Sequence, residues 1–176
     1  MRLFHVSEES DITLFEPRIP SRVDMDQSKG LVWAINEQCL PNFLTPRNCP
    51  RVTYHSHETT TDEHKKLYLS SNSLDHVVAI EHKWFEIMRE TTLYLYEFDT
   101  VDFYGADKSA GYYVSEKTQI PINKIIVHDL FGELIRRNVE VRMIDNLWDL
   151  NDKIATTSFN WSMCRMGFAA QRKESV

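Results

Sequence analysis

The chain has 176 residues, 42% of them hydrophobic and 11% aromatic, with a formal net charge of −6. That suffices for one sizeable core and about one domain, and acidic residues scattered without a basic patch argue against nucleic acid or an anionic membrane as partner. Cys39, Cys49 and Cys164 form no C-x-x-C pair, so neither a disulfide framework nor a zinc ribbon is expected.

Arg2, His5, Glu8, Glu9 and Asp11 stand where a signal peptide would need apolar residues, and no run approaches about 18 apolar residues, so a cytoplasmic protein is expected. Leu3–Ser7 reads as the first strand. Pro17 and Pro20 make residues 12–20 an extended loop that cannot continue as helix, and 21–29 read as a polar surface loop. Gly30 introduces 31–35, an apolar run too short for a helix that reads as a buried strand. A short helix is expected over 37–44, ended by Pro46, then a strand over Arg51–His55. His76–Glu81 has strand character, 83–90 reads as a compact helix, and 92–98 is the best alternating strand.

Residues 99–109 form a polar loop of the kind that carries function, followed by a strand at Tyr112–Ser115 and another at 124–128. Asp129 can cap a helix that places Leu130, Phe131, Leu134 and Ile135 on one face. Val139–Ile144 reads as a late strand, 147–154 as a short helix, 159–168 as a closing strand and 169–176 as a frayed tail. About eight strands, mostly in succession, with three or four short helices predict a single α+β domain over 1–168 with two small mixed or antiparallel sheets.

Chemistry is concentrated at His5, in the middle of Leu3-Phe4-His5-Val6-Ser7-Glu8. An imidazole buried without a partner costs on the order of 1–3 kcal/mol, so it must bond a neighbour or face a cavity. With Gly111-Tyr112-Tyr113-Val114-Ser115-Glu116 it makes the one constellation that looks like a small-molecule cleft. A packing account stands beside this: His5 bonded to a backbone carbonyl, Trp33 as core filler, Tyr112 and Tyr113 as a cross-strand aromatic pair. No G-x-G-x-x-G, Walker-type loop, Gly-x-Ser-x-Gly elbow or His-Glu-x-x-His occurs. His55, His57 and His64, with Glu58, are ligand types for zinc, iron or nickel, but residues 59–66 are polar enough to read as a solvated loop. A metal-dependent enzyme using the three histidines is a secondary expectation, and no metal is assigned. The carboxylate pairs Asp24/Asp26, Asp62/Glu63 and Glu8/Glu9 read as solvated.

An early strand bearing His5, a second bearing Trp33, and a later Tyr-x-Ser strand ahead of a proline resemble the ADP-ribosyltransferase fold, most nearly its small rifampin-modifying bacterial branch. The resemblance implies NAD as substrate. His5 would hold the nicotinamide ribose, and Trp33 would replace the family's tyrosine as the stacking face. The supporting acid would be Asp107 or Glu116, with Asp102 a further candidate. Ser7, Tyr113 and Ser115 would line the cleft, and Arg18, Arg22 and Arg51 could offer guanidinium forks to the pyrophosphate.

A closer resemblance, over nearly the whole chain, is to an uncharacterised bacterial family labelled only as a domain of unknown function. It rests on Leu3-Phe4-His5-Val6-Ser7-Glu8, Val32-Trp33-Ala34-Ile35, Leu40-Pro41, Pro46-Arg47-Asn48-Cys49-Pro50-Arg51, Gly111-Tyr112-Tyr113-Val114-Ser115 and Asn146-Leu147-Trp148. It brings no activity, but favours Arg47 and Arg51 over Arg22 as pocket residues. The expectation is therefore NAD-dependent ADP-ribosyl transfer to an unknown acceptor, the alternative a non-catalytic ligand-binding or interaction module with the same cleft.

Overall fold

Alternating apolar residues resolve, in the computed structural model, into strands and short helices over residues 1–20 and 26–172, which are those the structure describes. In chain order they are β1 (Leu3–Ser7), β2 (Val32–Asn36), β3 (Arg51–His55), α1 (Asp62–Tyr68), β4 (His76–Glu81), α2 (Phe85–Glu90), β5 (Leu93–Phe98), β6 (Tyr104–Asp107), β7 (Tyr112–Ser115), β8 (Asn123–Val127), α3 (Leu130–Arg136), β9 (Val139–Ile144), α4 (Trp148–Ile154) and β10 (Asn160–Cys164). The class is α+β. The chain divides into two units, Met1–Leu40 with Thr92–Val127 and Pro41–Thr91 with His128–Val176, so each is built from two separate stretches.

The first unit holds a six-stranded antiparallel sheet in the order β6-β7-β2-β1-β5-β8. Because side chains alternate across a strand, Leu3, Val32, Ala34, Tyr96 and Phe98 share one face, where Phe15 from the following loop completes the cluster. Residues 12–20 are extended, as expected, and are pinned by backbone pairs Phe15 with Gln119 and Arg18 with Leu31.

The second unit holds a four-stranded sheet, β10-β3-β4-β9, in which only β4 and β9 run parallel. One face packs Val52, Tyr54, Val77 and Ala79 against Leu147, Ile154 and Phe159, with the Tyr54 hydroxyl donating to the Tyr68 carbonyl at 2.7 Å. The other carries the buried polar residues Arg51, Thr53, His55 and His76.

Several elements differ from expectation. The helix over 37–44 is only a 3-10 turn at Leu40–Phe43, because Pro41 has no N–H for an α-helical ladder and disfavours helical dihedrals at Leu40. Helix α1 forms where a solvated loop was expected: the Thr61 side chain accepts the His64 N–H, acids fill the first turn and lysines the last. Strand β6 lies inside the expected 99–109 loop, and all its residues are exposed. The 83–90 helix begins with a 3-10 turn at His82–Trp84. The closing strand stops at Cys164, where Arg165 turns left-handed (φ 56°) into a 3-10 turn at Met166–Phe168. The tail is tied down as far as residue 172: Glu81, 1% exposed, accepts the Ala170 N–H at 2.8 Å, and the Trp148 indole donates to the Ala170 carbonyl at 2.8 Å. No helix among the described residues is long and apolar enough to cross a membrane.

Candidate functional site

Strand β1 runs beside β5 for its whole length, from Leu3↔Phe98 to Ser7↔Tyr94, but pairs with β2 only at Leu3↔Asn36 and Phe4↔Ile35. The two strands part at His5. Its ring turns toward the gap, and Nδ1 lies 3.1 Å from the Trp33 carbonyl oxygen. A carbonyl only accepts, so Nδ1 carries the proton and Nε2 keeps a lone pair. No described residue hydrogen-bonds Nε2. Phe15 covers the imidazole at 4.8 Å between centroids, and itself meets Tyr96 and Phe98 edge-on at 5.3 and 5.0 Å. Burial pushes the His5 pKa down, the Trp33 carbonyl opposes this, and the Arg18 charge adds to the lowering. The ring is neutral near pH 7.

The register decides which expected residues meet. His5, Ala34 and Tyr113 occupy one row on one face, and Ser7 and Ser115 alternate onto that face as well. Trp33 does not. Its ring lies on the opposite face, edge-on to Tyr112 at 5.5 Å and 89°. The expectation that His5 and Trp33 present two rings to one ligand is therefore corrected: the strands are joined by a ring-to-carbonyl bond, while the indole points away.

Other expected residues have local duties. The Ser7 hydroxyl accepts the Glu9 N–H at 3.1 Å. Ser115 is buried, and its oxygen accepts from Lys117 N at 3.1 Å and Gln119 Nε2 at 2.9 Å. Asp107 caps a turn through the N–H groups of Ser109 and Ala110, and Asp102 pairs with Lys117. Glu116 takes Lys29 at 2.9 Å and the Tyr104 hydroxyl at 3.0 Å, which hold its carboxyl below the usual range. No hydrogen bond or ion pair places any of these acids against His5.

Arg47 and Arg51 belong to the second unit. Arg51 is buried, donates to the carbonyls of Asn42 and Cys49, and lies over the Phe43 ring; it ties its own loop together. Arg47 is exposed. Arg22 and Asp24 lie outside the described residues.

Of the histidines expected as metal ligands, His57 and His64 both bond Ser158, and His55 lies apart from that contact. His57 Nε2 donates to the Ser158 carbonyl at 2.9 Å, and His64 Nδ1 accepts the Ser158 N–H at 3.0 Å. His55 stacks near His76 at 5.1 Å, with its Nδ1 buried and without a hydrogen-bond partner. His76 donates from Nε2 to Asn42 Oδ1 at 2.8 Å, and burial drives its pKa down to about 3. Among the described residues no group of three or more His, Cys, Asp or Glu is placed to hold a metal ion. The three-histidine arrangement is not formed.

Sequence reasoning passed over Phe15 and Tyr96, which form the apolar wall at His5. The Tyr96 hydroxyl donates to the Glu9 carbonyl at 2.7 Å and accepts the Ile12 N–H at 3.2 Å, fastening the 9–15 strap over the sheet. Phe15 sits beside Pro17 in a segment read only as loop, and its sole signal was a large aromatic between two prolines and a strand.

A model described as a family of unknown function (DUF6886) matches residues 4–169. No curated protein and no solved structure matches the chain.

Proposed function

We propose, for a chain that belongs to the DUF6886 family of unknown function, that the sheet face around His5 binds a small planar ligand bearing hydroxyl groups, with NAD the first compound to test. The observation that supports it is the state of His5. Its Nδ1–H is engaged by the Trp33 carbonyl, and its Nε2 lone pair is left to no described residue. Core polar atoms are ordinarily satisfied, whereas an open acceptor on a half-buried ring suits a ribose hydroxyl. Tyr113, partly buried, offers aromatic surface beside His5, with the buried Phe15 and Tyr96 packed behind it as an apolar floor. On this reading Tyr113, and not Trp33, is the aromatic partner of His5. Binding without turnover is favoured, because Asp107 and Glu116 are both engaged elsewhere.

ADP-ribosyl transfer is the second reading, favoured by the ionised state in which Lys29 and Tyr104 hold Glu116. The bond from ribose C1′ to the nicotinamide nitrogen would break with its electron pair leaving on nicotinamide, and an acceptor nucleophile would take C1′ as it loses a proton. Thermal unfolding with NAD tests the main reading, since a ligand at about 100 times its Kd stabilises by ~2.7 kcal/mol. His5→Ala should abolish the shift. An unchanged response in that variant, or none in the wild type, refutes the site; free nicotinamide released from NAD selects the second reading over the first.

A further inference from the structure

We propose that Glu81, Asn146, Trp148 and Asp152 form a peptide groove that the segment Ala170–Arg172 of this chain fills in cis, and that takes in trans an extended, arginine-bearing segment of a partner protein. The groove lies wholly within the second unit and stands independently of the His5 reading. Ala169 leaves the 3-10 turn at Met166–Phe168 in an extended conformation, with φ −68° and ψ 162°, and residues 170–172 run on without regular structure. The groove grips their main chain. Glu81, 1% exposed, accepts the Ala170 N–H through both carboxylate oxygens, at 2.8 and 3.1 Å. The Trp148 indole donates to the Ala170 carbonyl at 2.8 Å, and the Asn146 amide donates to the Gln171 carbonyl at 2.9 Å. Main-chain groups of this kind are common to all peptides, so these bonds hold a segment without choosing its sequence.

Arg172 supplies the choice. Its guanidinium lies 4.5 Å over the Trp148 ring and meets both carboxylate oxygens of Asp152, at 2.5 and 3.1 Å. A planar fork that stacks on an aromatic face while pairing a carboxylate is arginine's geometry and not lysine's. Asp145 and Asp149, both exposed and next to Asn146 and Trp148 in the chain, add acidic surface that favours a basic partner. The occupant is replaceable: none of residues 167–172 is buried, so its departure breaks polar contacts and opens no core. The family match covers residues 4–169, which puts the groove residues inside the matched span and the gripped residues 170–172 beyond it.

Fluorescence anisotropy with a dye-labelled peptide of residues 165–172 tests this on the full chain. A segment held in cis acts at an effective concentration on the order of millimolar, so the peptide should bind the wild type weakly. The Arg172→Ala protein holds its own segment less well and should bind the peptide about tenfold more tightly than the wild type does. Against that protein, the Arg172→Ala peptide should bind about tenfold more weakly than the natural one, with the Arg172→Lys peptide in between because it keeps the charge and loses the fork. Adding Asp152→Asn to the protein should erase most of the preference for arginine. Arg172 and Asp152 are half exposed, and thermal midpoints within a few degrees of wild type establish that both variants keep their fold. No saturable binding to the Arg172→Ala protein at up to about 1 mM peptide, or binding indifferent to the peptide's arginine, overturns the groove. A concentration-dependent dimer that Asp152→Asn disperses makes a second copy's segment the occupant and overturns the partner protein.

Discussion

Lowering the pH from 7 to about 5 should destabilise the protein through His76. The unfolded chain takes up a proton at this residue near pH 6.5, but the folded one resists to about 3, so protons bind preferentially to the unfolded state between those values. Stability is therefore complete above pH 6.5 and is lost as pH falls toward 3. Each proton contributes about 1.4 kcal/mol per pH unit, and the gap of about 3.5 pH units gives a ceiling of ~5 kcal/mol for this one group. His5 and His55, also pushed down by burial, act in the same direction. Urea unfolding at pH 7, 6 and 5 measures the slope above the range in which the carboxylates Glu97, Glu133 and Glu140 add their own acid losses. His76→Gln, whose amide can still donate to Asn42 Oδ1, should reduce the slope between pH 6 and 5 by about 1.4 kcal/mol per pH unit. Parallel curves for the two proteins would refute the claim that His76 is held neutral.

Three further changes test local features. Gly111→Ala should cost at least about 2 kcal/mol in chemical unfolding: Gly111 sits at φ +72°, and an added Cβ would lie 2.7 Å from Cys39 Sγ and 2.8 Å from Asn36 Oδ1. Wild-type stability there would show that the turn relaxes. Tyr96→Phe removes the hydroxyl that joins Glu9 to Ile12; a loss of about 1–3 kcal/mol is expected, with faster amide exchange at Ile12 as the local readout. Thr61→Ala should cost about 1 kcal/mol and fray α1, seen as lost exchange protection at His64, and unaltered protection would remove the cap from the account.

Where a strand buries side chains, the sequence was legible. Leu3–Ser7, Arg51–His55, His76–Glu81 and Val139–Ile144 form at the residues expected, because their apolar runs have nowhere else to go. Helix α1 and strand β6 bury none of their side chains, so hydrophobic periodicity had nothing to register; the written signs of α1 were the cap at Thr61 and the order of acids before lysines. At the site, His5 was identifiable as a polar group in an apolar strand, and even its bond to a backbone carbonyl was among the expectations. The face of Trp33 was not. Alternation fixes which residues of one strand point together, but the register between β1 and β2 relates one strand's faces to the other's, and that register depends on long-range pairing.

Each half of this protein is interrupted by the other along the chain, which bears on how it is made. A ribosome that has released residues up to 91 has supplied neither sheet in full: β5 to β8 are still to come for one, β9 and β10 for the other. The two fragments made by a cut between residues 91 and 92 each lack part of both units and should therefore be insoluble or unstructured when expressed alone, and pairing of β4 with β9 must wait until the whole of 92–127 has emerged.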